Sequence, residues 1–271
     1  MTVIQSNQMN FAAQLEMLKA RGFDEDRAQV VLLIREAAIL LFQAFPESFV
    51  MYGGANLILF QNSLRTSRDL DLISRGDTPP SAGEITSVLS EGLQELGKLL
   101  EIAPIQVKVN TEKPVYLKLE IVSMDGRTLF TVDLGGLASV LASGIEEQAM
   151  EAVSLNRRAT VRYVAKDHLL LQKAEAFVFR RGVKARDAYD IKLLMGARAK
   201  LSGELENHLT DTLAMREFGK EELTQRIEQV SPALCRGQLA DVLPSDLYKE
   251  LEKAEFAPLR AALRELFEKW L

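Results

Sequence analysis

Between Asp24 and Phe45 apolar side chains recur at Val30, Ile34, Ala37, Ala38 and Leu41, the spacing of one helical face, and Pro46 ends the pattern. Phe49-Val50-Met51-Tyr52 is a short apolar run that stops at Gly53-Gly54, after which Ala55 to Phe60 favours helix. The predicted unit is strand, tight glycine turn, helix. Asp69-Leu70-Asp71-Leu72-Ile73 alternates acid and aliphatic, as a strand with one polar and one buried face does. Thr78 to Ser81 predicts a loop, Glu84 to Leu100 a helix, and Ile105 to Val109 a further strand. In Val115 to Ser123 the alternation puts Val115, Leu117, Leu119 and Ile121 on one face and Tyr116, Lys118 and Glu120 on the other. Asp125-Gly126 is a favoured hairpin turn, so Thr128 to Leu134 returns antiparallel. That register sets Glu120 opposite Thr131 and Lys118 opposite Asp133, all on the polar face. Ala159 to Val164 is the next strand candidate.

From Asp167 onward the pattern turns helical. Asp167 is a plausible N-cap for His168 to Arg181, Gly182 to Ala185 form a break, and Arg186 to Ala199 is a second helix. Glu204 to Leu271 reads as further helices punctuated by Pro232, Pro244 and Pro258. The chain therefore reads as α+β: a mixed β-sheet with flanking helices over residues 1–165, followed by a helical C-terminal domain over 166–271.

The chemistry is concentrated where Gly53-Gly54 precedes Asp69-Leu70-Asp71 by a fourteen-residue spacer. Two carboxylates at i and i+2 on a strand project to the same side, about 6.5 to 7 Å apart, which suits hard divalent cations. A Gly-Gly turn that opens a helix lets backbone N–H groups approach a phosphate at the positive end of the helix dipole. Together they predict a site for a nucleoside triphosphate and magnesium, the parts needed for phosphoryl transfer. A second constellation holds Lys173, Arg180, Arg186, Asp187 and Asp190. Lys173 and Arg180 share a helical face, as do Asp187 and Asp190, so a helical hairpin would let a lysine meet one or two carboxylates. The bland reading of the same residues is an interhelical salt-bridge cluster.

Composition narrows the options further. In a chain of 271 residues, a single cysteine (Cys235) and two histidines exclude an internal disulfide and a zinc finger, leaving oxygen ligands for any metal. Met1 to Gln14 lacks the form of a secretory signal, and the longest uncharged run, Ser48 to Leu64, is too short and polar to span a bilayer. A cytoplasmic protein without membrane contact is expected. The net charge of −5 on its own argues against a polyanion binder. Its distribution argues otherwise: residues 153–200 hold twelve Lys or Arg against four acidic residues.

Three stretches carry a family resemblance: Gly53-Gly54 with Arg65-Thr66-Ser67-Arg68-Asp69-Leu70-Asp71-Leu72, then Tyr116 to Ile121, then Lys173-Ala174-Glu175-Ala176 with Arg180 and Arg186-Asp187-Ala188-Tyr189-Asp190-Ile191. In this order, over about residues 45–195, they resemble the motifs of AbiEii/AbiGii-type nucleotidyltransferases. That family comprises the toxin halves of type IV toxin–antitoxin and abortive-infection systems and shares the minimal DNA polymerase β-like nucleotidyltransferase fold. The resemblance implies that Gly53 and Gly54 cradle the triphosphate, that Asp69 and Asp71 bind Mg2+ or Mn2+, and that Lys173 neutralises phosphate charge. Asp187 would orient Lys173 or assist deprotonation of the acceptor hydroxyl, with Arg180, Arg186 and Asp190 in support. Arg65 and Ser67 would contact phosphate or brace the aspartates. Relatives often carry Thr or Ser where this chain has Ala55, which leaves Asn56 to supply a phosphate contact. Glu120 fits the third carboxylate that the superfamily places on a neighbouring strand, with Asp133 as the alternative. The implied reaction moves a nucleoside monophosphate from a triphosphate to an acceptor hydroxyl, in the family an RNA 3′ end and notably that of tRNA, with a cognate antitoxin as a further partner. A protein or small-molecule hydroxyl as acceptor, or a catalytically idle nucleotide-binding protein of the same fold, are the alternatives.

Overall fold

The computed structural model describes residues 3–75, 79–113, 116–135, 143–152 and 157–271. The Thr78 end of the expected loop and Val115 lie outside the described residues. The chain divides into two compact units, Met1–Val164 and Ala165–Leu271.

The first unit runs α1 (Val3–Ala20), α2 (Glu25–Ala44), β1 (Phe49–Tyr52), α3 (Gly53–Phe60), β2 (Asp69–Ser74), α4 (Ala82–Gly92) and α5 (Gln94–Leu99). It continues with β3 (Gln106–Lys113), β4 (Tyr116–Val122), β5 (Thr128–Gly135), β6 (Ile145–Glu151) and β7 (Arg158–Val164). Asp24 caps α2 by accepting a 2.9 Å hydrogen bond from the Arg27 amide. The sequence shows one apolar stripe on α2, yet Val30 to Ile34 and Glu36 to Phe42 are all buried. The reason is that α2 packs on β2, β5 and β7 and also on α1, α3 and α4. Ser81 and Glu84 form a reciprocal capping box that starts α4, ahead of the expected boundary at Glu84.

The strands form a seven-stranded mixed sheet in the order β3-β4-β5-β2-β1-β7-β6. β1 pairs antiparallel with β2 and parallel with β7, while β2 pairs parallel with β5. The β4/β5 hairpin has the expected register, Lys118 with Asp133 and Glu120 with Thr131. Strand β6 has no counterpart in the sequence reading. Its residues Glu146, Glu147, Gln148 and Ala149 are exposed, so this edge strand shows no apolar alternation to betray it. Along β2, Leu70 and Leu72 are fully buried, which turns Asp69 and Asp71 to the opposite face.

The second unit contains α6 (Lys166–Phe179), α7 (Ala185–Gly196), α8 (Glu204–Met215), α9 (Lys220–Glu228), α10 (Pro232–Leu239), α11 (Ser245–Lys253) and α12 (Ala257–Phe267), closed by a 3-10 turn, Glu268–Trp270. Asp167 is not the N-cap of α6. Ala165 holds that position, and the Asp167 carboxylate instead accepts from the Lys200 amide at 3.0 Å. The prolines open helices as well as end them: Pro232 and Pro258 sit in first turns, where a missing N–H costs nothing, and Pro244 is the N-cap of α11. Phe177 and Phe267 stack in the core of this unit, and Cys235 is buried, with its thiol pushed up to about 11 by burial.

Candidate active site

Tyr52 ends β1 and Gly53 enters α3 with φ +66°, a conformation that only glycine adopts without strain. The glycines are needed for space as much as for the turn. A Cβ on Gly53 would lie 2.0 Å from Asp71 Oδ2, and one on Gly54 would lie 2.3 Å from Ser67 Oγ. The turn thus rests directly on the β2 aspartate, and the Gly54 amide points at Asp71 Oδ2 at 3.4 Å. We expect Gly53→Ala to lower the unfolding free energy by about 1 to 3 kcal/mol, since strain at positive φ adds to the collision with Asp71. Urea unfolding checks the stability.

Parallel pairing of β2 with β5 places Asp71 beside Asp133 and Asp69 beside Thr131. Thr131 Oγ1 lies 3.0 Å from Asp69 Oδ1 and 2.8 Å from Asp133 Oδ2, so one hydroxyl reaches both carboxylates. From β4, Lys118 Nζ stands 3.2 Å from both Asp133 oxygens, and the Tyr116 hydroxyl donates to Asp133 Oδ1. That hydrogen bond, with burial and the charges of Asp133, Asp71 and Asp69 behind it, pushes the Tyr116 phenol up to about 12, so it remains a proton donor at neutral pH. Burial first, then the charges of Asp71 and Asp133, also raises Tyr52 above the ordinary tyrosine range.

The expectation for Glu120 does not fit this sheet. Glu120 is on β4, with β5 between it and β2, and its carboxylate accepts from Asn110 Nδ2 at 2.6 Å on the β3 side. Two strand spacings amount to about 9.6 Å, against about 4.8 Å for Asp133. Asn56 is also displaced from its expected role. It is fully buried, and its Nδ2 donates to the Val164 carbonyl at 2.8 Å, tying α3 to β7. Arg65 is buried, with Nη1 donating to the Thr66 carbonyl at 2.9 Å, while Ser67 Oγ faces the Asp69 backbone. Both therefore lie where they brace the segment leading into β2.

Oxygen is the sole donor type in this cluster, which is the chemistry that magnesium or manganese requires. Among the described residues no three His, Cys, Asp or Glu side chains close into a metal-holding group as they stand. The Lys118 ammonium supplies positive charge to the carboxylates instead, a cationic stand-in at Asp133. Asp69, Asp71 and Asp133 offer carboxylate oxygens on adjacent strands, the donor chemistry of a hard divalent cation, without closing into a binding geometry as they stand.

In the second unit, α6 packs against α7 and pairs two sets of charges. Lys173 Nζ is 3.0 Å from Asp190 Oδ2, with the lysine side chain 10% exposed and the aspartate not at all. Arg180 Nη1 is 2.8 Å from Asp187 Oδ2. Burial raises the Asp187 carboxyl above its usual range, opposed by the charges of Lys173 and Arg180. Arg186 is exposed and acts on Asp187 only through its field. One contributor has no signature in the sequence: Arg226 of α9 donates to the carbonyls of Phe177 and Arg180 and so fixes the end of α6 that carries Arg180.

The nucleotidyl transferase AbiEii toxin family of type IV toxin–antitoxin systems has a family model that matches residues 37–269. The chain belongs to this family. It is accordingly a nucleotidyltransferase and the toxin component of a type IV system. Solved structures agree in fold. MenT4, the nucleotidyltransferase toxin Rv2826c from Mycobacterium tuberculosis H37Rv, superposes with TM-score 0.53 at 18% identity, covering 97% of this chain and 95% of its own. A candidate nucleotidyltransferase from Helicobacter pylori gives TM-score 0.54 at 16% identity over 92% of this chain and 97% of its own. JHP933, also from H. pylori, gives 0.53 at 12% identity over 88% and 90%. No curated protein matches the sequence. Among the described residues of this toxin, no helix is long and apolar enough to cross a membrane.

Proposed function

We propose that this nucleotidyltransferase toxin transfers a nucleoside monophosphate to the 3′ end of tRNA in the cytoplasm, with magnesium or manganese as cofactor, and that a cognate antitoxin restrains it. The observation that carries the metal-dependent reading is Asp71 packed against the Gly53-Gly54 turn, with Asp133 beside it on β5 and Asp69 linked to Asp133 through the Thr131 hydroxyl. The RNA acceptor is supported by the basic stretch 153–200 and by family membership.

In this reading Asp69 and Asp71 hold the cation and Asp133 takes the third carboxylate position that the sequence assigned to Glu120. When bound, the cation offsets the negative charge that develops on the transferring phosphoryl group and on the departing pyrophosphate. Lys118 and Tyr116 hold Asp133 in place beside Asp71. The N–H groups of the glycine turn receive the triphosphate, helped by the positive end of α3. In the second unit Lys173, held by Asp190 at 3.0 Å, is the candidate for neutralising phosphate charge, and Asp187 lies within the field of the same lysine. The acceptor hydroxyl gives up its proton to solvent as its oxygen bonds to the α-phosphorus, the bond from that phosphorus to the bridging oxygen breaks, and pyrophosphate carries away the electron pair.

The test is incubation of the protein with each of the four α-labelled triphosphates, magnesium and total tRNA. Label is expected on the tRNA 3′ end, lost on addition of EDTA. Label on protein or on a small molecule, with tRNA unmodified, would reassign the acceptor. No transfer to any fraction would overturn the reading.

A further inference from the structure

A cavity of about 370 Å³ lies in the first unit between α1, α2, the last turn of α3 and strands β6 and β7. That volume falls within the range of pockets that take small molecules, about 300 to 1,000 Å³. Its walls are of two kinds. Leu18, Leu32, Ile58, Leu59 and Met150 give an apolar lining, while Arg21, Arg35 and Arg158 bring three guanidinium groups against the single carboxylate of Glu151.

Two of the arginines keep donors that the fold does not use. Arg35 sits in the most buried stretch of α2, flanked by the aliphatic run Val30 to Ile34 and by the buried Glu36. Its Nη1 donates to Gln14 Oε1 at 2.8 Å, but its buried Nε has no hydrogen-bond partner. Arg21, whose guanidinium lies 5.8 Å from the Phe23 ring centroid, likewise has a buried Nη2 with no partner. Burial lowers the Arg35 pKa, partly opposed by the charges of Glu36 and Glu151. A buried guanidinium donor without an acceptor is costly, and two from separate segments line one cavity. A planar cation with several donors pairs best with a carboxylate, phosphate or sulfonate oxygen pair.

We propose that this cavity is a binding site for a small organic anion: an acidic head held by Arg21 and Arg35 and an apolar or aromatic body seated against Leu32, Ile58 and Met150. The site is distinct from the glycine turn, since α3 offers its first turn to one and its last to the other, an eight-residue helix about 12 Å long. Gln14 to Arg35 also precede the stretch matched by the family model, which begins at residue 37.

The test uses the full chain and two fluorescent probes, 8-anilinonaphthalene-1-sulfonate and its uncharged parent N-phenyl-1-naphthylamine. One saturable sulfonate site per chain is expected, retained under saturating ATP and magnesium. Arg35→Gln and Arg21→Gln should each weaken the sulfonate probe at least tenfold and change the uncharged probe less than twofold. Ala149→Trp, a substitution at an exposed position on the cavity rim, should block both probes and serves if an arginine variant fails to fold. Undiminished sulfonate binding in Arg35→Gln and Arg21→Gln, displacement by ATP, or no saturable site in the unmodified chain would overturn the proposal.

Discussion

Replacing Asp71 with asparagine is expected to reduce nucleotide transfer at least about a thousandfold, the scale on which a single charge-stabilising group acts in phosphoryl transfer. The same change should leave stability within about 1 kcal/mol of the parent. The reason is local charge. Asp71 pairs with Asp133 across β2 and β5 and shares its face with Asp69, so it stands among like charges. An isosteric amide keeps the volume beneath Gly53 and relieves that repulsion while weakening the contact with the Gly54 amide, so the stability change should be small. Activity and stability therefore separate at this position, which marks a residue retained for chemistry. Single-turnover transfer and urea unfolding on the same preparation measure both. A residual rate within tenfold of the parent would remove Asp71 from the mechanism.

Lys173 is predicted to behave differently, because its ammonium is structural as well as chemical. It faces Asp190, which is completely buried, at 3.0 Å. Lys173→Met takes away the positive charge and leaves the carboxylate in a low-dielectric interior, a change that typically costs about 3 to 5 kcal/mol. Loss of activity in this variant alone would not distinguish a catalytic lysine from a collapsed hairpin of α6 and α7. The double substitution Lys173→Met with Asp190→Leu makes the distinction, since replacing both members of a buried pair with apolar residues of similar volume is often neutral. Stability should return to within about 1 to 2 kcal/mol of the parent while transfer stays abolished. Recovery of transfer together with stability would confine Lys173 to a structural role.

The features that could be read along the chain are the local ones. Acid and aliphatic residues alternate in Asp69 to Ile73 and so fix which face of β2 carries the carboxylates, and the hairpin expected from Asp125-Gly126 gives the pairs Lys118–Asp133 and Glu120–Thr131, although a bulge between Ile121 and Val122 shifts the register by one residue next to the turn. What escaped depends on contacts between distant segments. Parallel pairing of β2 with β5 joins residues about sixty positions apart, and no local pattern announces that Asp133 rather than Glu120 is the neighbour of Asp71. Asn56 reads as a polar residue beside a phosphate turn until β7 arrives to bury it against the Val164 carbonyl. Helical spacing placed Lys173, Asp187 and Asp190 on compatible faces but left open which pair meets, and only the packing of α6 on α7 joins Lys173 to Asp190 and Arg180 to Asp187. Arg226 lies in a stretch that reads as generic helix, and its contacts are to backbone carbonyls, which have no sequence identity.

The carboxylate assignment is tested most directly by measuring tRNA labelling with Asp133→Asn and Glu120→Gln side by side. Asp133 shares the Thr131 hydroxyl with Asp69, whereas Glu120 is engaged with Asn110 on the far side of β5. A metal site built on Asp69, Asp71 and Asp133 predicts a loss of at least about a hundredfold in Asp133→Asn and a rate within about threefold of the parent in Glu120→Gln. The reverse order, with Glu120→Gln inactive and Asp133→Asn near the parent rate, would contradict it.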